Sequence, residues 1–269
     1  MYLYLALALL GLLYTYLEAK LCVVRRDTIY SKKIPPEFDG FVIVFISDLH
    51  IQSPSSGRLA RVVKKVNRLN PDIVLLGGDY SNRTTRDIEG CLAPLSGLKA
   101  KAYGVLGNHD FEGDMPVKTP PALKKAGVTA IDNKAFWIHR GDARVKIGGV
   151  DDWWNGYPWL EPLVCDVKEN DFTVLVSHNP DFFEVFPLDQ VSLGFSGHNH
   201  GGQCNFFGIY APFLPSMYGL KYRSGRKKIG DTEIICSNGI GTSHFPLRFM
   251  AVPQINRVEL RRERENGEA

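Results

Sequence analysis

Gly197-His198-Asn199-His200-Gly201-Gly202 follows directly on the apolar run 191–196, and its reading decides what the rest of the chain is. Side chains at i and i+2 of an extended segment point to the same side. Both imidazoles are therefore expected to lean toward one spot, with the glycines letting backbone and ligand approach closely. Four upstream segments carry the same kind of chemistry: Ser47-Asp48-Leu49-His50, Gly77-Gly78-Asp79, Gly107-Asn108-His109-Asp110 and Ser177-His178-Asn179. One such segment is an ordinary polar turn. Five in one chain, each past a predicted strand, are beyond chance.

Working outward, the runs before these segments read as strands. Phe41–Ile46 is continuously apolar and β-branched, the pattern of a strand buried on both faces. Ile73–Leu76, Ala102–Leu106, Phe172–Val176 and Val191–Phe195 read the same way. Gly57–Leu69 is an amphipathic helix, with Leu59, Val62, Val63, Val66 and Leu69 on one stripe. Its opposite face carries Arg58, Arg61, Lys64, Lys65 and Arg68, and is either solvated or in contact with anionic lipid headgroups. Further helices are expected at Asp87–Leu95, from the start signal Thr119-Pro120, and at Asp181–Phe186. Phe136–His139 and Arg144–Val150 lie close enough for an antiparallel hairpin. Cys204–Tyr222 reads as loop, Glu233–Ser237 and Gln254–Leu260 as closing strands, and Arg261–Ala269 as a frayed end. Strands alternating with helices, then hairpins, predict an α/β fold of two packed sheets with helices outside.

A length of 269 residues fits one α/β domain. Thirty-two basic against 29 acidic residues do not suggest a protein built around nucleic acid. Five cysteines, an odd number without a CxxC pair, read as reduced thiols facing the cytosol and argue against a zinc knuckle. Met1–Leu17 has no charged side chain. It falls short of the ~20 residues of a spanning helix, which a tail to Val24 reaches at the cost of including Glu18 and Lys20. No basic region precedes this run, as a signal peptide would require. Lys20, Arg25, Arg26, Lys32 and Lys33 follow it and favour a cytoplasmic C-terminal side. The expected organisation is a membrane anchor at 1–24, a linker at 25–40 ending in Pro35-Pro36-Glu37-Phe38-Asp39-Gly40, a domain at 41–262 and a charged tail at 263–269. A helix lying on the bilayer or packed on the domain is the alternative for the first segment.

Asp48, His50, Asp79, Asn108, His178, His198 and His200 offer more O and N donors than one transition metal accepts. They suit two ions sharing a bridging carboxylate. Asp79 is the natural bridge, with Gly77-Gly78 leaving room for a second ion beside it. Mixed carboxylate, imidazole and amide ligands suit Mn, Fe or Zn.

The ordered set DxH, GD, GNHD, H and GHxH resembles the calcineurin-like metallophosphoesterase superfamily, over roughly residues 38–262. Gly201-Gly202-Gln203 and Gly239-Ile240-Gly241-Thr242-Ser243 are similar to its bacterial membrane-anchored phosphodiesterase branch, which includes enzymes cleaving UDP-2,3-diacylglucosamine. The resemblance implies a four-layer α-β-β-α sandwich of two mixed sheets. It implies one metal on Asp48, His50, Asp79 and His200, and a second on Asp79, Asn108, His178 and His198. It further implies a catalytic His109 oriented by Asp110, and attack on phosphorus by a hydroxide between the metals. Asn199 and Asp151 or Asp152 are candidates to orient the ligand imidazoles, and Arg83, Arg223 and Arg248 to contact phosphate. Phe206, Phe207, Tyr210, Phe213, Met217 and Tyr218, with Trp153, Trp154 and Trp159, either fill the core or form an apolar rim for lipid. The expected activity is hydrolysis of a phosphodiester or pyrophosphate, on a membrane-associated or lipid-linked substrate. A soluble substrate and a non-catalytic scaffold are the alternatives.

Overall fold

The apolar runs assemble into two mixed sheets of six strands each, packed face to face. The structure is a computed structural model describing residues 1–82, 85–243 and 245–263. In chain order the elements are α1 (Tyr2–Lys20), β1 (Val23–Ser31), β2 (Val42–Ile46), α2 (Arg58–Asn67), β3 (Ile73–Leu76), α3 (Ile88–Leu92), β4 (Lys101–Gly104), α4 (Met115–Lys125) and β5 (Val128–Ala130). There follow β6 (Lys134–Arg140), β7 (Ala143–Gly149), α5 (Glu161–Val164), β8 (Phe172–Val176), α6 (Phe182–Val185), β9 (Leu193–Ser196), β10 (Gly225–Ile229), β11 (Thr232–Cys236) and β12 (Gln254–Arg262). One sheet has the order β1-β12-β2-β3-β4-β5 and the other β10-β11-β9-β8-β7-β6.

Period-two alternation explains why β2 is buried throughout and yet serves two layers. Ile43 and Phe45 face the second sheet, where Phe45 meets Phe195 with ring centroids 5.1 Å apart. Val42, Val44 and Ile46 face outward onto Leu59, Val62, Val63 and Val66 of α2. On the other sheet Phe172, Val174 and Val176 of β8 point inward, while Leu175 packs outward with Phe182 and Phe183 of α6. Helix, sheet, sheet, helix is the layering this produces. Burying each such side chain contributes roughly 1.5–3 kcal/mol.

Several expectations are corrected. The stretch expected as linker begins with β1, whose residues pair in parallel with Gln254–Arg262. With only Ile29 of β1 buried, it suits an edge strand with a solvated face. The apolar N-terminal helix ends at Lys20, not Val24, and Glu18 is buried against the domain. Arg261 and Arg262 lie within β12 rather than a frayed end. Of the expected charged tail, 264–269 lies outside the described residues, as does Arg83. The fourth helix starts at Met115, four residues before Thr119, because Val117 and Lys118 already donate to the Asp114 carbonyl. The closing strands β11 and β12 belong to different sheets.

Candidate metal centre

The parallel core strands of both sheets deliver their polar turns to one edge. Asp48 and His50 follow β2, Asp79 follows β3, and Asn108 follows β4. His178 follows β8, while His198 and His200 follow β9. Loops beyond the carboxyl ends of parallel strands are where such sheets build ligand sites. All seven side chains converge there in two groups that share one atom.

The first group is Asp48, His50, Asp79 and His200, whose ligand atoms all lie within 4.8 Å of one another. His50 Nε2 is 3.0 Å from His200 Nε2 and 3.5 Å from Asp79 Oδ2. In the second group His178 Nε2 is 3.3 Å from Asp79 Oδ2 and 3.1 Å from Asn108 Oδ1. His198 Nδ1 lies 2.8 Å from the same Asn108 oxygen. Asp79 Oδ2 therefore stands between the groups, while its Oδ1 accepts from the His109 amide at 2.9 Å.

Outer partners settle which nitrogen faces inward. His50 Nδ1 donates to Asn82 Oδ1 at 2.6 Å, and His178 Nδ1 donates to the Gly77 carbonyl at 2.6 Å. His198 Nε2 faces the Pro215 carbonyl at 3.2 Å. Lone pairs of imidazole, carboxylate and amide are thereby aimed at common centres, as divalent cations require. Burial pushes Asp48 up to about 6, His50 down to about 4 and His198 down to about 3. Burial would lower His178 too, but Asp79, then Asp48 and Asp152, outweigh it and push it up to about 10. Carboxylate charge is in excess at the middle of the cluster, and divalent cations would offset it. The donor set fits two such ions.

The backbone is bent to achieve this. Asp48, His50, Asp79, His198 and His200 all have positive φ, between 43° and 67°. Non-glycine residues held so cost on the order of 1–3 kcal/mol each and persist where surrounding contacts fix them. Here Asp48 accepts from the His198 amide at 2.9 Å, and the Asp48 and His50 amides donate to the Gly78 and Asp79 carbonyls. Gly107 and Gly197 permit the close approach, since a Cβ on either would collide with Asp79 or Asp48.

This geometry corrects several sequence expectations. The histidine pair is not extended: His198 and His200 are both left-handed, and they join different groups. Gly77 and Gly78 make room for Phe45, Ser47 and the Gly107 backbone rather than for an ion. Asp110 does not orient the His109 ring. Its buried carboxylate accepts from Tyr80, Ser81 and Gly107, and burial raises it to about 8. The carboxylate nearest the ring is Glu112, with Oε1 2.9 Å from His109 Nδ1, although that nitrogen makes no well-aligned hydrogen bond. Asn199 binds the Tyr222 carbonyl, and Asp151 and Asp152 accept from the amides of their own turn. Arg248 is wholly buried and unavailable to substrate phosphate, donating instead to the carbonyls of His200, Gly241 and Ala251. Arg223 lies beside Gly202 and Gly208 and does not line the cavity. Asn82, Glu112 and the bracing role of Gln203 were not read from the sequence. Gln203 Oε1 accepts from Ser243 at 2.9 Å and its Nε2 donates to Phe245, tying two loops together.

Above the cluster opens a cavity of about 450 Å³, with Asp79, Asn108, His109, His198 and His200 at its floor. Trp154, Phe213, Leu214 and Phe245 form its walls. Trp153 packs internally on Phe182 and Phe186. The six residues Phe206, Phe207, Tyr210, Phe213, Met217 and Tyr218 are all exposed and do not fill the core.

Residues 41–202 match the family model described as calcineurin-like phosphoesterase. The chain is 31% identical over 246 residues to an uncharacterised metallophosphoesterase of Bacillus subtilis, YkuE, covering 89% of this chain and 86% of that protein. It is 30% identical over 235 residues to the phosphodiesterase YaeI of Escherichia coli, covering 82% of each. A zebrafish (Danio rerio) transmembrane protein with a metallophosphoesterase domain is 26% identical over 246 residues, covering 86% of this chain and 55% of that one. With the ligand set converged at one sheet edge and the match running through all five motifs, the chain belongs to the calcineurin-like metallophosphoesterases, hydrolases of phosphate esters that use two divalent metal ions.

Proposed function

We propose that this enzyme hydrolyses a phosphodiester or pyrophosphate bond in a membrane-associated, lipid-linked substrate of the UDP-2,3-diacylglucosamine type, with its catalytic domain on the cytoplasmic side. One observation carries the reading: the polar floor opens into apolar walls that continue as exposed side chains up to the base of an apolar helix. Phe249 joins them, with Tyr14 of α1 at 5.9 Å and Phe206 at 5.3 Å between ring centroids. Helix α1 spans 19 residues, about 28 Å of rise, and is long and apolar enough to cross a bilayer. Contiguous exposed apolar surface of this kind marks a contact site for protein or membrane.

In this reading Asp48, His50, Asp79 and His200 hold one cation, and Asp79, Asn108, His178 and His198 the other. A bound pair supplies a nucleophile from water at neutral pH and neutralises phosphoryl oxygens. The chain's own residues then do three things. Asp79 fixes the spacing of the two groups. His109, with Nδ1 turned to Glu112, presents Nε2 to the cavity and hands a proton to the leaving oxygen, a step worth ~10²–10⁴-fold. Trp154, Phe213 and Phe245 shield the floor and accept the apolar part of the substrate.

The test uses the full chain in detergent with Mn²⁺. UDP-2,3-diacylglucosamine in mixed micelles is compared with the same nucleotide sugar lacking acyl chains. A kcat/KM roughly tenfold or more higher for the acylated form is expected. Equal values would leave a phosphoesterase without lipid preference.

A further inference from the structure

A second cavity, about 1000 Å³, lies against the first, and Ser243 lines both. Lys20, Arg58, Arg61, Lys64, Lys65 and Arg68 surround it, and among the described residues no carboxylate does. Arg61, Lys64, Lys65 and the C-cap residue Arg68 recur at helical spacing along one stripe of α2 and its end. Like charges at such spacing repel, so the stripe weakens the isolated helix unless something anionic meets it. Two of the cations bind backbone: Lys65 Nζ donates to the Cys22 carbonyl at 2.6 Å, and Arg58 Nη2 to the Ala19 carbonyl at 3.0 Å. These bonds fasten α2 to the C-terminal end of α1. Arg61, Lys64 and Arg68 are exposed at the cavity.

The position of the cavity selects its ligand. Lys20, Leu21 and Cys22, where the apolar helix stops, form part of its wall. A helix entering a bilayer leaves its terminal basic residues at the depth of the lipid phosphates. We infer that this basic cavity binds the phosphate headgroup of an anionic membrane phospholipid, seating the catalytic cavity against the bilayer. The inference rests on the membrane reading above but requires no turnover of any lipid. Its chemistry is that of phosphate in a ring of cations, and attachment to a lipid is what α1 beside it adds.

The experiment is calorimetric titration of the full chain in dodecyl maltoside micelles. The probes are short-chain phosphatidylglycerol, short-chain phosphatidylcholine and glycerol phosphate. Phosphatidylglycerol is expected to bind roughly tenfold or more tighter than either other probe, more weakly as salt rises. The triple variant Arg61→Gln, Lys64→Gln, Arg68→Gln is expected to lose roughly tenfold or more of that affinity. Its thermal melt and its hydrolysis of a soluble diester should match the parent, because glutamine keeps the helix. Equal affinity for both lipids, glycerol phosphate binding as tightly as the lipid, or an unchanged triple variant would each overturn the inference. Loss of diester turnover in parent and variant alike would instead count against the proposed function and leave the titration readable.

Discussion

Asp48 and His178, in the ligand cluster beneath the catalytic cavity, have no exposure at all, whereas Phe207, Ile209 and Met217 on the nearby loop are 72%, 80% and 79% exposed. Both sets run against the usual sorting of polar and apolar side chains. Among the candidate metal ligands the inversion is compensated: Asp48 and Asp79 accept amide hydrogens, and His50 and His178 have one nitrogen fixed and one aimed inward. On the loop 206–218 ring contacts to Phe249 and Phe245 cover the apolar side chains only in part, and much of their surface stays exposed. A floor of buried charge and a rim of exposed apolar side chains teach different things. The first bears on the reaction, the second on the membrane setting proposed for it.

Substitutions can separate the two. Asp79→Asn should break the floor outright, because one oxygen serves both ligand groups. Mn²⁺-dependent hydrolysis of a soluble diester is expected to fall about 10⁴-fold or more, ~5 kcal/mol of transition-state stabilisation. Bound metal, measured on acid-digested protein, should fall with it. Activity within tenfold of the parent would show that Asp79 does not bridge. His109→Ala is expected to lower kcat by ~10²–10⁴-fold while leaving metal content intact, since its ring stands outside both groups. Loss of metal in this variant would make His109 a ligand instead.

Asn82→Ala probes how the floor is held. It removes the acceptor that turns His50, and outer partners of this kind are worth ~10–100-fold in metal affinity. Competition with a chelator reads this directly, and unchanged retention would assign Asn82 to the loop alone. The smallest effect is expected at the rim. Phe207→Ser, Ile209→Ser and Met217→Ser together should leave soluble diester turnover unchanged and raise KM about tenfold for a micellar substrate, less than full burial of three such side chains would give. Equal losses on both substrates would mean that the rim supports the floor structurally.

The ends of α1 sharpen the same contrast. Its first three turns are exposed, while Glu18 accepts from the Met250 and Ala251 amides and the Thr15 carbonyl accepts from Arg248. A span extended to Val24 is expected to include Glu18 at a cost. The structure shows the carboxylate docked on the domain, which fixes the helix relative to the catalytic edge.

The sequence by itself determined the parts whose signals are local. Continuous β-branched runs such as Phe41–Ile46 can be satisfied only by burial on both faces, and a polar turn after each can serve only a shared edge. That made the layers and all seven candidate ligands legible. What only the tertiary structure decided depends on partners distant in the chain. β1 is a strand because β12, more than 200 residues later, supplies its hydrogen bonds. Glu112 rather than Asp110 faces the His109 ring because Tyr80, Ser81 and Gly107 claim the Asp110 oxygens. His198 and His200 part company because left-handed backbone, held by contacts from other loops, replaces the extended geometry that their spacing suggested. Patterns in the chain report which surfaces must be buried, whereas the assignment of a hydrogen-bond partner waits for the fold to bring competitors together.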